Sequence, residues 1–416
     1  MELLSPAGNY DKFLTALDFG ADAVYFAGQA FGLRAFAGNF SIDQIKAACQ
    51  EAHKRGKKVY VTVNIIAKDE DFNGLKEYLQ SLSDANVDAV IVADIGIIRF
   101  IRKNFPNMEI HVSTQANITN TESALFFADM GVKRVVLARE LNLTQVKKIA
   151  TVLKERGVEV ECFVHGAMCI SYSGRCLLSN YLACRDANHG ECVQACRWRY
   201  FVREEKRDSE LEVEEDNRGT YIFNSKDMCM IQHLKELQDA GVASLKIEGR
   251  MKSEYYVACV TNAYRKAIDM LPKKAGDEFV TELEKTSHRL FSTGFYFKEA
   301  EENLDSSSPV QTHEFVGVVK DCQNGVATIE QRNFLKEDDE VEVITEPNEV
   351  NAVAAALEKA GYKIAMSEST LIPDMYVDLD EQKLSTFQKM IGILEDLEDV
   401  QNVYHNVNLP DDDEEE

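Results

Sequence analysis

The amino-acid sequence predicts an α/β protein. It should contain a TIM-like (β/α)8 barrel with a cysteine-rich insertion before strand 8, a short β segment, and a C-terminal ferredoxin-like βαββαβ unit. Three observations carry that expectation. Eight short apolar runs recur in the first 250 residues, amphipathic stretches separate them, and the rhythm breaks at a cysteine-rich segment (162–200) and again near residue 342.

The runs are Glu2–Ser5, Ala23–Ala27, Val59–Asn64, Ala89–Asp94, Ile110–Thr114, Arg134–Arg139, Val158–Val164 and Ser244–Glu248. Most are nearly unbroken Val, Ile, Leu, Phe or Tyr, as in parallel strands covered on both faces. Several follow a Gly or Asn suited to ending a helix in left-handed backbone: FGADAVYFAG, ANVDAVIVAD, MGVKRVVLARE and AGVASLKIEGR. Between the runs, SIDQIKAACQEAHKRG and LNLTQVKKIATVLKERG have helical period, and Ser41 with Gln44 has capping-box spacing. Eight such units closing on themselves is the simplest architecture. An open doubly wound sheet is the alternative, but SPAGNYDKF at the first turn lacks the G-x-G-x-x-G such sheets often carry.

The division expected is a barrel over 1–300 with its cysteine loop at 162–200, a partial small β-barrel over 301–341, the ferredoxin-like unit over 342–408 and an acidic tail over 409–416. Val350, Val353, Ala354 and Leu357 share one helix face in the last unit, as do Phe387, Ile391 and Leu394.

Hydrophobic residues make up 45% and charged residues 28% of the 416, a globular balance in a chain too long for one core. No apolar run approaches the roughly 20 residues that span a bilayer. MELLSPAGNYDKF has no basic stretch leading into an apolar one, so it reads as a first strand rather than a signal peptide. The expectation is a cytoplasmic protein with no membrane partner. A net charge of −24 argues against nonspecific nucleic-acid binding, although part of it lies in the terminal DDDEEE run.

Ten cysteines in a reducing compartment argue against structural disulfides. Cys49, Cys229, Cys259 and Cys322 are scattered like small buried hydrophobes, whereas Cys162, Cys169, Cys176, Cys184, Cys192 and Cys196 fall within one stretch. That stretch interrupts the strand–helix rhythm where an active-site mouth belongs. Cys169, Cys176, Cys192 and Cys196 are spaced C-x6-C-x15-C-x3-C. Four thiolates suit an iron–sulfur cluster, probed first as 4Fe-4S, or a structural zinc. Zinc pairs usually stand two to four residues apart, so the six-residue gap favours iron–sulfur. Cys162 reads as a strand residue and Cys184 as the substitute ligand.

Barrel enzymes work at the C-terminal strand ends. Here those ends offer Ser113, Gln115, His165, Glu248 and Arg250 as candidate catalytic residues around a small anionic co-substrate. His165 fits a metal ligand, an acid–base group or a satisfied polar residue. Arg175, Arg185, Arg197 and Arg199 make the cysteine segment locally basic, either as surface ion pairs or as an anion site for a phosphate backbone or a dicarboxylate. Tyr172, Tyr181, Trp198 and Tyr200 interleave with them, which suits base stacking and loop packing equally.

Five stretches resemble the collagenase-like bacterial proteins classed as peptidases of unknown catalytic type, family thirty-two. They are ECFVHGAMCISYSGRCLLS at 161–179, RDANHGECVQACRW at 185–198, NSKDMC at 224–229, SLKIEGRMKS at 244–253 and SHRLFSTGFY at 287–296. The resemblance implies iron–sulfur hydroxylation proteins rather than proteases, with Cys169, Cys176, Cys192 and Cys196 matching the cluster ligands. It further implies prephenate-dependent hydroxylation of a tRNA wobble uridine as the nearest branch, with other branches acting on ribosomal RNA or a quinone precursor. A collagenase-like protease is the contrary expectation. A thiol protease needs a His-activated Cys and a metalloprotease usually shows H-E-x-x-H, and neither pattern is readable.

Residues 314–342 resemble the start of that family's small β-barrel. From about 342 the sequence resembles the C-terminal region of the YebC family instead. That departure leaves the β-barrel's closure open, and it adds a rival expectation of ribosome-associated or regulatory binding through the C-terminal unit.

Overall fold

A computed structural model describes residues 1–32, 39–169, 171–174, 176–183, 185, 192–193, 226–297 and 310–333 apart from 314, 324–325 and 332. It also describes the positions 215–216, 219–220, 387, 390 and 391. The chain divides into two compact units, Met1–Val310 and Gln311–Glu416.

The first unit is a closed barrel. Its parallel strands are β1 (Glu2–Pro6), β2 (Ala23–Ala27), β3 (Lys58–Val63), β4 (Ala89–Val92), β5 (Ile110–Val112), β6 (Arg134–Val136), β7 (Glu159–Gly166) and, after a short strand β8 (Asp227–Cys229), β9 (Ser244–Ile247). Ser244 pairs with Glu2 on one side and Glu161 on the other, so β9 joins β1 to β7 and closes the ring. All eight expected strands are present, seven with ends within two residues and the sixth ending three residues early, at Val136.

Helices α1 (Tyr10–Asp18), α2 (Ile42–Lys54), α3 (Leu75–Asp84), α4 (Ile95–Asn104), α5 (Thr121–Asp129) and α6 (Leu143–Glu155) follow the first six strands in turn. Then come α7 (Leu178–Ala183), α8 (Leu234–Asp239), α9 (Glu254–Asp269) and α10 (Asp277–Glu284). Side chains of Asn9, Ser41, Asp94, Asn120, Asn142 and Ser253 accept first-turn N–H groups, and Ser41–Gln44 forms the expected capping box. Asp94 is thus a helix cap, not a strand end. Gly20, Asn86, Gly131 and Gly241 have φ between 58° and 96°, the left-handed backbone that the run-in sequences call for.

The main core lies between strands and helices, where Val24, Phe26, Val61 and Val92 meet Ile45, Leu79 and Ile98. Inside the barrel Leu4, Ala23, Tyr25, Tyr60, Ala89 and Ile91 form a smaller cluster. A buried ionic chain shares that interior. Lys246 Nζ lies 2.8 Å from Glu161, whose other oxygen is 3.0 Å from Arg134, and Arg134 also reaches Glu159 at 2.7 Å and Glu2. Tyr60 Oη donates to Glu2 at 2.8 Å.

The last two residues of β7 also pair antiparallel with β8, while His165 keeps Ile247 of β9 as its parallel partner after a register shift. A further strand, β10 (Phe291–Ser292), then lies parallel to β8. The motifs at 224–229 and 287–296 are thereby delivered to the mouth beside His165. Among the described residues, no helix is long and apolar enough to cross a membrane.

In the second unit β11 (Val316–Gln323) and β12 (Val326–Gln331) form an antiparallel hairpin. The expected βαββαβ unit lies outside the described residues, apart from helical Phe387, Met390 and Ile391.

Candidate active site at the barrel mouth

His165 closes β7 and is 1% exposed. Its ring packs among Tyr256, Tyr264 and Phe291, with centroids 5.9, 5.5 and 5.5 Å away. Tyr264 Oη donates to Val164 O at 2.7 Å and stands 3.5 Å from His165 Nδ1. Burial, then His288 and Lys252, push the His165 pKa down to about 3. At neutral pH it is therefore an uncharged imidazole.

Two residues that follow β9 frame the mouth. Glu248 N–H donates to His165 O at 2.9 Å, and Glu248 O accepts from Tyr256 Oη at 2.8 Å. Arg250 is buried, with Nη1 3.5 Å from Thr62 Oγ1 on β3. The turn after β1 touches it too, because a Cβ on Gly8 would stand 2.1 Å from the Arg250 carbonyl oxygen.

Ser113 and Gln115 have a different part. Ser113 Oγ accepts from Gln115 N–H at 3.3 Å and so caps the short 3-10 turn Thr114–Ala116. Gly174 of the cysteine segment rests on Gln115, where a Cβ would come within 2.2 Å of the Gln115 carbonyl oxygen. Just past β6, Arg139 donates to Ala167 O at 2.9 Å and lies 5.4 Å over the Phe163 ring, and, against burial, the nearby Cys169 is among the groups that push its pKa up. Glu140 accepts from Ser173 N–H at 2.9 Å and from its hydroxyl at 3.3 Å. The Cys169–Cys176 loop is thus clamped to the ends of β5 and β6.

Burial sorts the cysteines. Cys49, Cys162, Cys229 and Cys259 are buried, and burial pushes Cys49 and Cys162 up to about 12 and Cys229 up to about 11. Cys169 and Cys192 are exposed and Cys176 is half-buried. Cys192 Sγ is 3.9 Å from Ser179 Oγ, which also accepts from Val193 N–H at 3.2 Å. Among the described residues the accessible thiols, Cys169, Cys176 and Cys192, are three of the four at the spacing expected of ligands, and a soft thiolate set suits iron–sulfur or zinc. Among the described residues no three His, Cys, Asp or Glu side chains lie close enough to hold one metal ion. Cys184 and Cys196 lie outside the described residues, as do Arg175, Arg197 and Arg199. Arg185 is described and exposed.

Sequence reasoning missed two groups. Asp227 Oδ2 accepts from Arg289 N–H at 3.1 Å, and the His288 ring stacks on Phe291 at 4.4 Å, completing the wall around His165. Their only signal was membership of the runs at 224–229 and 287–296, which give no position in space. The barrel's ionic chain was also missed, although Arg134, Glu161 and Lys246 stand out as charges inside apolar runs.

Comparison with known proteins decides the family. The sequence matches the description "Peptidase family U32" over residues 8–306. The chain belongs to peptidase family U32. A second match, "TACO1/YebC second and third domain", covers residues 318–407. Among U32-like relatives, the chain is 41% identical over 352 residues to "tRNA hydroxylation protein P1" of Bacillus subtilis (strain 168), covering 82% of each. It is 35% identical over 408 residues to "tRNA hydroxylation protein P" of Escherichia coli (strain K12), covering 86% of this chain and 89% of that protein. A 23S rRNA 5-hydroxycytidine synthase of Escherichia coli (strain K12) is 38% identical over 300 residues, covering 70% of this chain and 44% of that protein.

Proposed function

We propose that this U32 chain is a cytoplasmic enzyme that hydroxylates tRNA at C5 of a uridine. It would use an iron–sulfur cluster on Cys169, Cys176, Cys192 and Cys196 and a small anionic co-substrate of the prephenate kind. The observation that carries this reading is the clamping of the Cys169–Cys176 loop by Arg139, Glu140 and Gln115, which sets accessible thiols at the catalytic end of a barrel. The reaction itself is taken from the names of the Bacillus and Escherichia relatives.

Replacing C5–H by C5–OH with oxygen at the level of water releases two electrons and two protons, so the reaction needs an external two-electron acceptor, and a thiolate-held iron–sulfur cluster would relay the electrons to it when bound. The chain's own groups do the rest. Arg250, buried and charged, pairs with a carboxylate of the co-substrate. His165, neutral and shielded, exchanges a hydrogen bond without adding charge, while Glu248 fixes its strand end. Arg185, with Arg175, Arg197 and Arg199, supplies the cations for RNA phosphates.

The test is nucleoside analysis of tRNA from a strain lacking its own tRNA hydroxylation proteins, complemented with this chain. Wild type should restore 5-hydroxyuridine derivatives. Alanine at any of the four cysteines should abolish them and strip iron and sulfide from protein purified without oxygen. Hydroxylated ribosomal RNA instead of tRNA would move the substrate to that of the 23S rRNA relative. Peptides released from collagen, or stoichiometric zinc in a colourless protein, would overturn the reading. Removing residues 342–416 should leave hydroxylation intact if that unit has a separate ribosomal or regulatory task.

A further inference from the structure

Three non-glycine residues have left-handed backbone among the described residues, and two of them are asparagines, which tolerate it. The third is Phe31, at φ 62° in the turn after β2. A bulky side chain is strained there and persists only where the surroundings impose it. The Phe31 ring lies 5.2 Å from that of Tyr78 and lines a cavity of about 360 Å³ between the turns after β2 and β3. Such a volume falls within the range of about 300–1,000 Å³ typical of small-ligand sites.

Besides Phe31, the polar side chains that line the cavity among the described residues are Gln29, Asn39, Glu70, Asp71 and Asn73, and none of the described lining residues is a lysine or arginine. Two carboxylates repel a phosphate or a carboxylate. Three carboxamides and one ring face suit a flat, uncharged group rich in N–H and O–H donors. Tyr78 Oη lies behind the same wall, buried and without a hydrogen-bond partner, where a Cβ on Gly28 would come within 2.1 Å of it. A buried hydroxyl left without a partner is unfavourable unless something supplies one. Strain and an orphaned hydroxyl thus fall on one cavity wall.

The cavity adjoins the mouth. Gly32 in its wall stands where a Cβ would be 3.4 Å from Thr62 Oγ1, the atom that faces Arg250. One side chain therefore separates the Arg250 guanidinium from a pocket whose described charged groups are both carboxylates.

We infer that this cavity is a nucleoside pocket, holding one base and its ribose from the RNA substrate, stacked on Phe31 and hydrogen-bonded by the carboxamides. The RNA as source rests on the tRNA hydroxylation reading; the nucleoside chemistry comes from the wall.

The test measures binding of an unmodified tRNA transcript to the full chain across a salt series, for wild type, Phe31→Gly and Asn73→Ala. Glycine accepts φ 62°, so Phe31→Gly relieves strain while deleting the stacking face, and Asn73 is exposed, so its truncation spares the fold. Phe31→Gly should weaken binding about 5- to 100-fold, as expected for loss of one stacked base, and Asn73→Ala severalfold. The salt slope should be unchanged, since no phosphate contact is lost. Unchanged affinity in both variants overturns the pocket, as does a loss accompanied by a shallower slope. Should wild type fail to bind tRNA, the hydroxylation reading falls and free uridine, cytidine, adenosine and guanosine become the probes. Nucleoside binding abolished by Phe31→Gly then supports the pocket, and no nucleoside binding overturns it.

Discussion

Glu140 and Ser173 come from a strand end and from the middle of the cysteine segment, and one carboxylate holds both the serine's N–H and its hydroxyl. Charge-assisted bonds of this kind contribute about 1.5–3 kcal/mol each when buried. Glu140→Gln keeps the shape and loses the charge. Amide hydrogen exchange in residues 167–183 should then quicken, while exchange in β5 and β6 stays as in wild type. Faster exchange throughout the barrel would show that Glu140 supports the fold and not the segment.

Gly174 offers the same test from the opposite side. At φ 73° and 2.2 Å from the Gln115 carbonyl oxygen, an added Cβ has nowhere to go. Gly174→Ala should lift the Cys169–Cys176 loop from the mouth and lower iron content after reconstitution, with the thermal midpoint of the barrel little changed. Full iron loading would break the link between loop position and ligand geometry.

Stability should fall as the medium is acidified. Burial alone would raise the Glu161 pKa, but Lys246 and Arg134 outweigh it and hold it at about 2. The unfolded chain takes up that proton near pH 4.3, so the contribution is present above that pH and is lost between it and pH 2. His165 acts earlier. It stays neutral in the fold down to about pH 3, whereas an unfolded histidine charges below about 6.5. Its contribution is therefore lost as pH drops through that window, at up to about 1.4 kcal/mol per pH unit. Burial also lowers His111 and His288, so His165→Gln should flatten the slope between pH 6.5 and 5 without abolishing it. Urea titrations across that range measure it, and an identical slope in the variant would remove His165 from the account.

Lys246→Met leaves the wholly buried Glu161 with Arg134 as its remaining strong counter-charge. Breaking one side of a buried pair costs about 3–5 kcal/mol. Adding Glu161→Gln to Lys246→Met should recover part of that loss, read as a rise in denaturation midpoint over the single variant. A double variant less stable than the single would mean that Glu161 is needed chiefly by Arg134.

The strands were legible because each is an apolar run bounded by a helix stop, and position 20 or 131 tells the same story in sequence as in φ. Cys169, Cys176 and Cys192 stood out in sequence by their clustering, and they are the accessible ones among the described residues. What could not be read was partnership across the barrel. Nothing near Glu140 names Ser173, nothing near Arg134 names Lys246, and Ser113 looks like a substrate ligand until its hydroxyl is seen capping Gln115. Long-range pairings of polar groups leave no periodicity behind. The backbone strain at Phe31 leaves none either, since φ is a property of the fold and not of the residue name.

The pairing of Gly166 with Met228 has a consequence for how this mouth can change over time. The chain that departs at one returns at the other, so residues 167–227 make an excursion whose two feet stand side by side on a rigid base. Closing such a loop depends on the logarithm of its length, about 0.6 kcal/mol for each doubling. Lengthening, shortening or rewriting the excursion therefore costs the barrel little. The stretch can change in length and sequence while the eight strands beneath it stay as they are.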